Sequence, residues 1–158
     1  MAFKIGIISD THGLLRPEAV RRLTGVDYII HGGDIGHPDV IAELRGIAPV
    51  TAIRGNVDKG DWAADYADTE LVRLAARSIF VVHDLKTLRI DPVASGIDVI
   101  VSGHTHVPKI DTVDGVLYLN SGSAGQRRFK LPITLATLDI TAHGMRPVIH
   151  DLADGRLG

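Results

Sequence analysis

Val99-Ile100-Val101-Ser102-Gly103-His104-Thr105-His106 is the stretch on which the reading of this 158-residue chain turns. A short β-branched run reads as a strand buried on both faces. It breaks at Gly103 into a His-x-His pair, and a glycine there permits the sharp turn that would let both imidazoles reach one bound ion. A single such pair is a moderate signal. It gains weight because four earlier apolar runs also end in residues that ligate metals.

Those runs are taken in chain order. Phe3–Ile8 ends in Ser9-Asp10-Thr11-His12-Gly13, and Asp27–Ile30 ends in His31-Gly32-Gly33-Asp34. Val50–Ile53 ends in Arg54-Gly55-Asn56-Val57-Asp58, and Ser78–Val82 ends in His83-Asp84. Helices are expected from Arg16-Pro17 to before Gly25 and from Pro38 through Leu44, each opened by a proline suited to a first turn. Beyond residue 106 the pattern becomes short strands, at Ile110–Val113, Val116–Leu119, Thr134–Ile140 and Arg146–Ile149. Asp114-Gly115 and Ala142-His143-Gly144 supply hairpin turns between them. The expectation is a layered α/β domain, parallel βαβ units first and antiparallel strands second, with residues 1–158 as one domain.

Composition narrows the function classes. Seventeen Lys and Arg against nineteen Asp and Glu leave a formal charge of −2, which does not suggest an extended nucleic-acid surface or a polybasic membrane contact. Aromatic residues make up 4%, too few for base-stacking platforms. Cysteine is absent, which excludes disulfides and thiolate ligands and suits a reducing cytoplasm. No apolar run approaches the roughly 20 residues of a membrane span, and the start is too briefly apolar for a secretory signal. Eight histidines are the unusual feature.

In open α/β sheets, ligands bind beyond the carboxyl ends of the strands. If the five runs are neighbours, Asp10, His12, Asp34, Asn56, His83, His104 and His106 converge on one crevice. Taken singly, an Asp at a strand end reads as a turn residue and a lone His as a solvated one. The recurrence at five strand ends is what favours a metal site. Two carboxylates, one amide and four imidazoles are too many for one ion. Shared between two, with a carboxylate bridging, they leave room for water, as in two-metal hydrolysis of phosphate esters. Mn, Fe, Co, Ni or Zn suit this mixed N/O set better than Ca or Mg, and Mn heads the expectation.

Asp10-x-His12, Gly33-Asp34, Gly55-Asn56-x-Asp58, His83 and Gly103-His104-x-His106, in that order, resemble the motifs of the calcineurin-like metallophosphoesterases. The short uninterrupted length is similar to their small prokaryotic phosphodiesterase subgroup, whose fold a retromer subunit also uses. The resemblance implies a four-layer α/β/β/α sandwich. It also implies a first ion on Asp10, His12, Asp34 and His106, and a second on Asn56, His83 and His104 with Asp34 bridging. Asp34, Asn56, His83 and His104 would carry the catalysis, a metal-bridging hydroxide attacking phosphorus in line.

Two positions depart from the pattern. Val57 stands where many relatives have a histidine that protonates the leaving group or binds the phosphate, and Asp84 stands where glycine is usual. Asp84 is expected to orient an imidazole, and Asp58 to cap or orient the Asn56 loop. His31 and His37 flank Asp34 and are left outside the ligand set. Asn120-Ser121-Gly122-Ser123 is either a turn or a buttress beneath the site. Arg127 and Arg128 are candidates for the phosphate oxygens, or a solvated basic pair beside Lys130.

The expected partner is therefore a small phosphate-ester substrate, with no membrane and no extended nucleic acid. Self-association is left open. The competing readings are a scaffold that keeps the fold without the chemistry, and a nucleotide-specific esterase or nuclease.

Overall fold

A computed structural model describes residues 2–125 and 130–152. The first half alternates strand and helix: β1 (Phe3–Ile8), α1 (Pro17–Leu23), β2 (Tyr28–His31), α2 (Pro38–Arg45) and β3 (Val50–Ala52). Pro17 opens α1. Pro38 opens α2, whose N-terminus is capped by the His37 side chain accepting from Asp39 N at 3.1 Å. β4 (Thr69–Leu74), β5 (Arg77–Val82), β6 (Val99–Ser102), β7 (Lys109–Val113), β8 (Val116–Asn120), β9 (Thr134–Thr141) and β10 (Gly144–Asp151) follow. Short 3₁₀ turns lie at Asp61–Asp65 and Leu85–Thr87.

Two five-stranded sheets result, in the orders β10-β9-β1-β2-β3 and β4-β5-β6-β8-β7. β1, β2 and β3 are parallel, as crossovers through α1 and α2 require. β7–β8 and β9–β10 are antiparallel hairpins, with Asp114 and Gly115 at φ 52° and 80° in the first turn. In the second sheet β5–β6 and β6–β8 are parallel, and the second of these pairs leaves no local signal. After β6 the chain crosses to the sheet edge, forms β7, and only then inserts β8 beside β6. The β4–β5 hairpin turns on Ala75 and Ala76 at φ 49° and 66°, a left-handed pair that glycine or asparagine usually supplies.

Alternation along the strands sorts the core into layers. Ile5, Ile7 and Ile30 of the first sheet meet Ile79, Val81, Val99 and Val101 of the second in a fully enclosed inter-sheet core. Ile8 and Ile29 face the other way, against Leu23 of α1 and Ile41 and Leu44 of α2. Fully burying one such side chain contributes roughly 2 kcal/mol. Gly6 sits under α1, where a Cβ would run into Leu23, so the helix lies flush on the sheet. The outer face of the second sheet packs Val82, Ile97, Ile100 and Val116 under Leu88 and Ile90. The fourth layer of this α/β/β/α sandwich is thus a thin irregular segment carrying one 3₁₀ turn. No helix among the described residues is long and apolar enough to cross a membrane.

Candidate metal centre

Stacking parallel strands side by side puts the ends of β1, β2, β3, β5 and β6 at one rim. Backbone bonds lace the loops there: Asp10 N to Gly33 O at 3.0 Å, His12 N to Asp34 O at 3.0 Å, and Gly103 N to His83 O at 3.0 Å. Five residues of these loops hold left-handed backbone: Asp10 at φ 53°, His12 at 49°, Asp34 at 55°, His104 at 71° and His106 at 64°. Outside the hairpin turns no other non-glycine described residue does. Such backbone costs about 1–2 kcal/mol per residue and persists only where its surroundings over-determine it, typically at functional sites.

Here the structure corrects one sequence expectation. Gly103 is not the residue that turns the chain, since His104 and His106 themselves adopt positive φ. Gly103 is needed for space, because a Cβ there would collide with Ser9 Oγ and the Asp10 carboxylate. Gly55 is in the same position, since a Cβ there would collide with the Asp34 carboxylate and backbone nitrogen.

Each carboxylate has one oxygen tied down and one left for the site. Asp10 Oδ2 accepts from Ser9 Oγ at 2.7 Å and His104 N at 3.2 Å. Asp10 Oδ1 is buried with no hydrogen-bond partner, 3.4 Å from His106 Nε2 and 3.9 Å from His83 Nε2. Asp34 Oδ1 accepts from Val57 N at 3.0 Å, while Oδ2 stands 3.1 Å from His83 Nε2 and 3.7 Å from His12 Nε2. His83 Nδ1 donates to Gly32 O at 2.8 Å, which puts its proton on Nδ1 and leaves the Nε2 lone pair facing the carboxylates.

Two clusters emerge, Asp10 with His12 and His106, and Asp34 with His83 and His104. Within each, one potential ligand atom per residue lies within 4.8 Å of the others. Asp34 Oδ2 also approaches His12, so it touches both groups. Asp10 Oδ1, His12 Nε2 and His83 Nε2 are buried without hydrogen-bond partners, so carboxylate oxygens face imidazole nitrogens that can act as acceptors. A divalent cation resolves that conflict, so the residues present fit a metal site.

Electrostatics agree. Burial would raise the Asp34 carboxyl, but His83 against it, the Val57 N–H and nearby His12 hold it at about 2. Burial opposes protonation of His83, yet Asp34, the Gly32 carbonyl and Asp10 outweigh it and raise its pKa. A proton there occupies the place a cation would take.

The remaining sequence-derived candidates fall in three places. Asn56 lies on the exposed tip of the β3 loop, between two residues that contact Asp34. Arg127 and Arg128 lie outside the described residues. Asp84 caps the turn at Leu85–Thr87 through Lys86 N at 3.0 Å, and its other oxygen stands 3.8 Å from His104 Nε2.

Asp58 accepts from Ile35 N at 3.0 Å, Gly36 N at 2.8 Å and Gly55 N at 2.8 Å, tying the β2 and β3 loops together. Asn120 proves to be a buttress. Its amide donates to Gly103 O at 3.0 Å and Thr105 Oγ1 at 3.2 Å, and Ser123 Oγ donates to Asp10 O at 3.0 Å. Ser9 and Thr11 were not singled out by sequence reasoning, because a hydroxyl beside a ligand carries no signature of its own.

Burial pulls the His31 imidazole down to about 4, against the attraction of Asp10 and Asp58. The unfolded chain takes up this proton below about 6.5. Between that value and about 4 the unfolded state binds more protons, so stability falls as pH drops, by about 3 kcal/mol over the window. Denaturant unfolding of chelated protein across that range is expected to show this loss in wild type and not in His31→Gln. Parallel curves for the two would refute the assignment.

The sequence profile of the calcineurin-like phosphoesterase superfamily domain matches residues 3–143, and the chain belongs to that family. It is 35% identical over 131 residues to a probable metallophosphoesterase of Methanothermobacter thermautotrophicus, covering 75% of this chain and 76% of that protein. A structurally characterised archaeal phosphodiesterase superposes with a TM-score of 0.76 at 28% identity, over 93% of this chain and 99% of that one. Vacuolar protein sorting 29 of Cryptosporidium parvum shares the fold with a TM-score of 0.72 at 16% identity, over 95% and 97% of the two chains.

Proposed function

We propose that this metallophosphoesterase is a phosphodiesterase that uses two divalent transition-metal ions, manganese foremost. The observation that carries it is the pair of inward carboxylate oxygens, Asp10 Oδ1 and Asp34 Oδ2, each within 4 Å of imidazole nitrogens from two different loops. Asp10, His12, Asp34 and His106 hold one ion. Asn56, His83 and His104 hold the other, with Asp34 shared. The ions supply Lewis acidity toward phosphoryl oxygens and lower the pKa of the attacking water.

The protein's own residues do the rest. Ser9 and the His104 N–H orient Asp10, Gly32 fixes the His83 tautomer, and Val57 N–H orients Asp34. Arg127 or Arg128 binds the non-bridging phosphate oxygens. The cysteine-free composition suits a cytoplasmic enzyme.

Val57 bears on the substrate. Its side chain is 48% exposed beside the site and has no proton to give. A general acid is worth about 10²–10⁴-fold when the leaving alkoxide is poor and far less when it is a stable anion. The manganese-loaded protein is therefore expected to depend steeply on leaving-group pKa and to prefer aryl over alkyl phosphodiesters. Val57→His is expected to flatten that slope. A graded series of phosphodiesters, with wild type and variant compared at fixed metal, measures both. A shallow wild-type slope assigns the proton to another residue, such as Asp84. No turnover of any member favours the scaffold reading of the fold.

A further inference from the structure

His31 is fully buried, lies outside both ligand clusters, and has both ring nitrogens engaged. Its Nδ1 accepts from Gly33 N at 3.1 Å, so the ring proton resides on Nε2. That Nε2–H donates to Thr11 Oγ1 at 2.9 Å, and the Thr11 hydroxyl in turn donates to Ile35 O at 2.9 Å. Every hydrogen in the chain is determined, and it runs in one direction: Gly33 to His31 to Thr11 to Ile35.

Its attachment points matter more than its strength. Thr11 separates Asp10 from His12, and Gly33 and Ile35 flank Asp34. These three ligand candidates all hold left-handed backbone. Backbone bonds already join the loops at Asp10 N to Gly33 O, at His12 N to Asp34 O, and at Gly13 N to Ile35 O at 2.7 Å. Those bonds run from loop backbone to loop backbone. The His31 side chain instead comes from the last residue of β2, whose backbone is paired with Ile8 of β1, and ties both loops to the sheet.

We infer that His31 and Thr11 are positioning residues, which set how the Asp10–His12 loop faces the shared carboxylate of Asp34 and thereby tune metal affinity. The inference rests on the two-metal reading and deepens it. Partners that orient ligands in this way typically change metal affinity about 10–100-fold when removed. Thr11→Val replaces the hydroxyl with a methyl of the same shape, breaking the chain at its midpoint without opening a cavity. Thr11→Ser keeps the hydroxyl.

The test is calorimetric titration of chelated, full-length wild type, Thr11→Val and Thr11→Ser with Mn²⁺ alone, with thermal melts of each chelated protein. Thr11→Val is expected to bind Mn²⁺ about 10–100-fold more weakly, and Thr11→Ser to return close to wild type. A lower melting temperature in Thr11→Val with unchanged Mn²⁺ affinity would mean that the chain only stabilises the fold, and would overturn the inference. If Thr11→Val does not fold, His31→Asn takes its place under the same criterion. It keeps an acceptor for Gly33 N and loses the donor toward Thr11. Wild type that binds no Mn²⁺ sinks the two-metal reading itself, a result distinct from equal binding by wild type and variant.

Discussion

Stripped of divalent cations, the protein is expected to hydrolyse an activated aryl phosphodiester at least roughly 10³-fold more slowly than after reconstitution with manganese. The estimate follows from the site's composition. Its ligand candidates are carboxylates and imidazoles with one amide, cysteine is absent, and the buried Ser9 and Thr11 hydroxyls are tied up in hydrogen bonds to Asp10 and Ile35. Lewis-acid stabilisation of the phosphoryl oxygens is worth several kcal/mol, and each 1.4 kcal/mol is tenfold in rate. Without the ions, protonation of His83 is favoured over that of a free imidazole, since its pKa is raised by Asp34 and the Gly32 carbonyl over the opposing effect of burial. A proton on that imidazole supplies no Lewis acid and no reactive water. Chelation followed by a manganese titration measures the effect, and equal turnover in chelated and loaded protein would falsify it.

Asp34→Asn is expected to abolish most of the activity, by roughly 10²-fold or more, and to do more damage than Asn56→Ala. The substitution is close to isosteric. The Asn side-chain oxygen still accepts from Val57 N, as Asp34 Oδ1 does at 3.0 Å, so the β2 and β3 loops keep their register. What changes is the inward oxygen, now a neutral NH₂ pointed at His83 Nε2, where Asp34 Oδ2 stood at 3.1 Å. That amide donates into the imidazole lone pair and removes a ligand from both groups. Asn56 is exposed at a loop tip, so its loss touches one group only. Metal content by elemental analysis and turnover, measured on both variants, decide the matter. Two ions retained with near-normal rates in Asp34→Asn would show that Asp34 is not shared.

Much of this was legible in the residues because the signals are local. A β-branched run marks a strand, a proline marks a helix start, and Asp114-Gly115 marks a hairpin, each from neighbours in sequence. The ligand candidates share that property. The chain can place an Asp or His in such a crevice only at a strand end, so strand ends reveal them. Signals failed where the local rule was broken or never existed. Ala75-Ala76 turns β4 into β5 with left-handed backbone that alanine disfavours, and the flanking strands impose it. The parallel pairing of β6 with β8 depends on where a distant hairpin inserts.

Strands, the glycine- and proline-marked turns and the candidate ligand types were legible in the sequence alone, because they rest on periodicities of two to four residues and on side-chain chemistry. The division into two groups, the placing of Asp34 Oδ2 between His12 and His83, and the left-handed backbone at five ligand candidates were decided only by tertiary structure. Ser9, Thr11, His31, Asp58, Asn120 and Ser123 belong there too. Each acts through hydrogen bonds to a backbone or side chain that packing brings to it, from the next residue to more than a hundred positions away. No spacing in the chain encodes a partner that only the packing of strand ends side by side supplies.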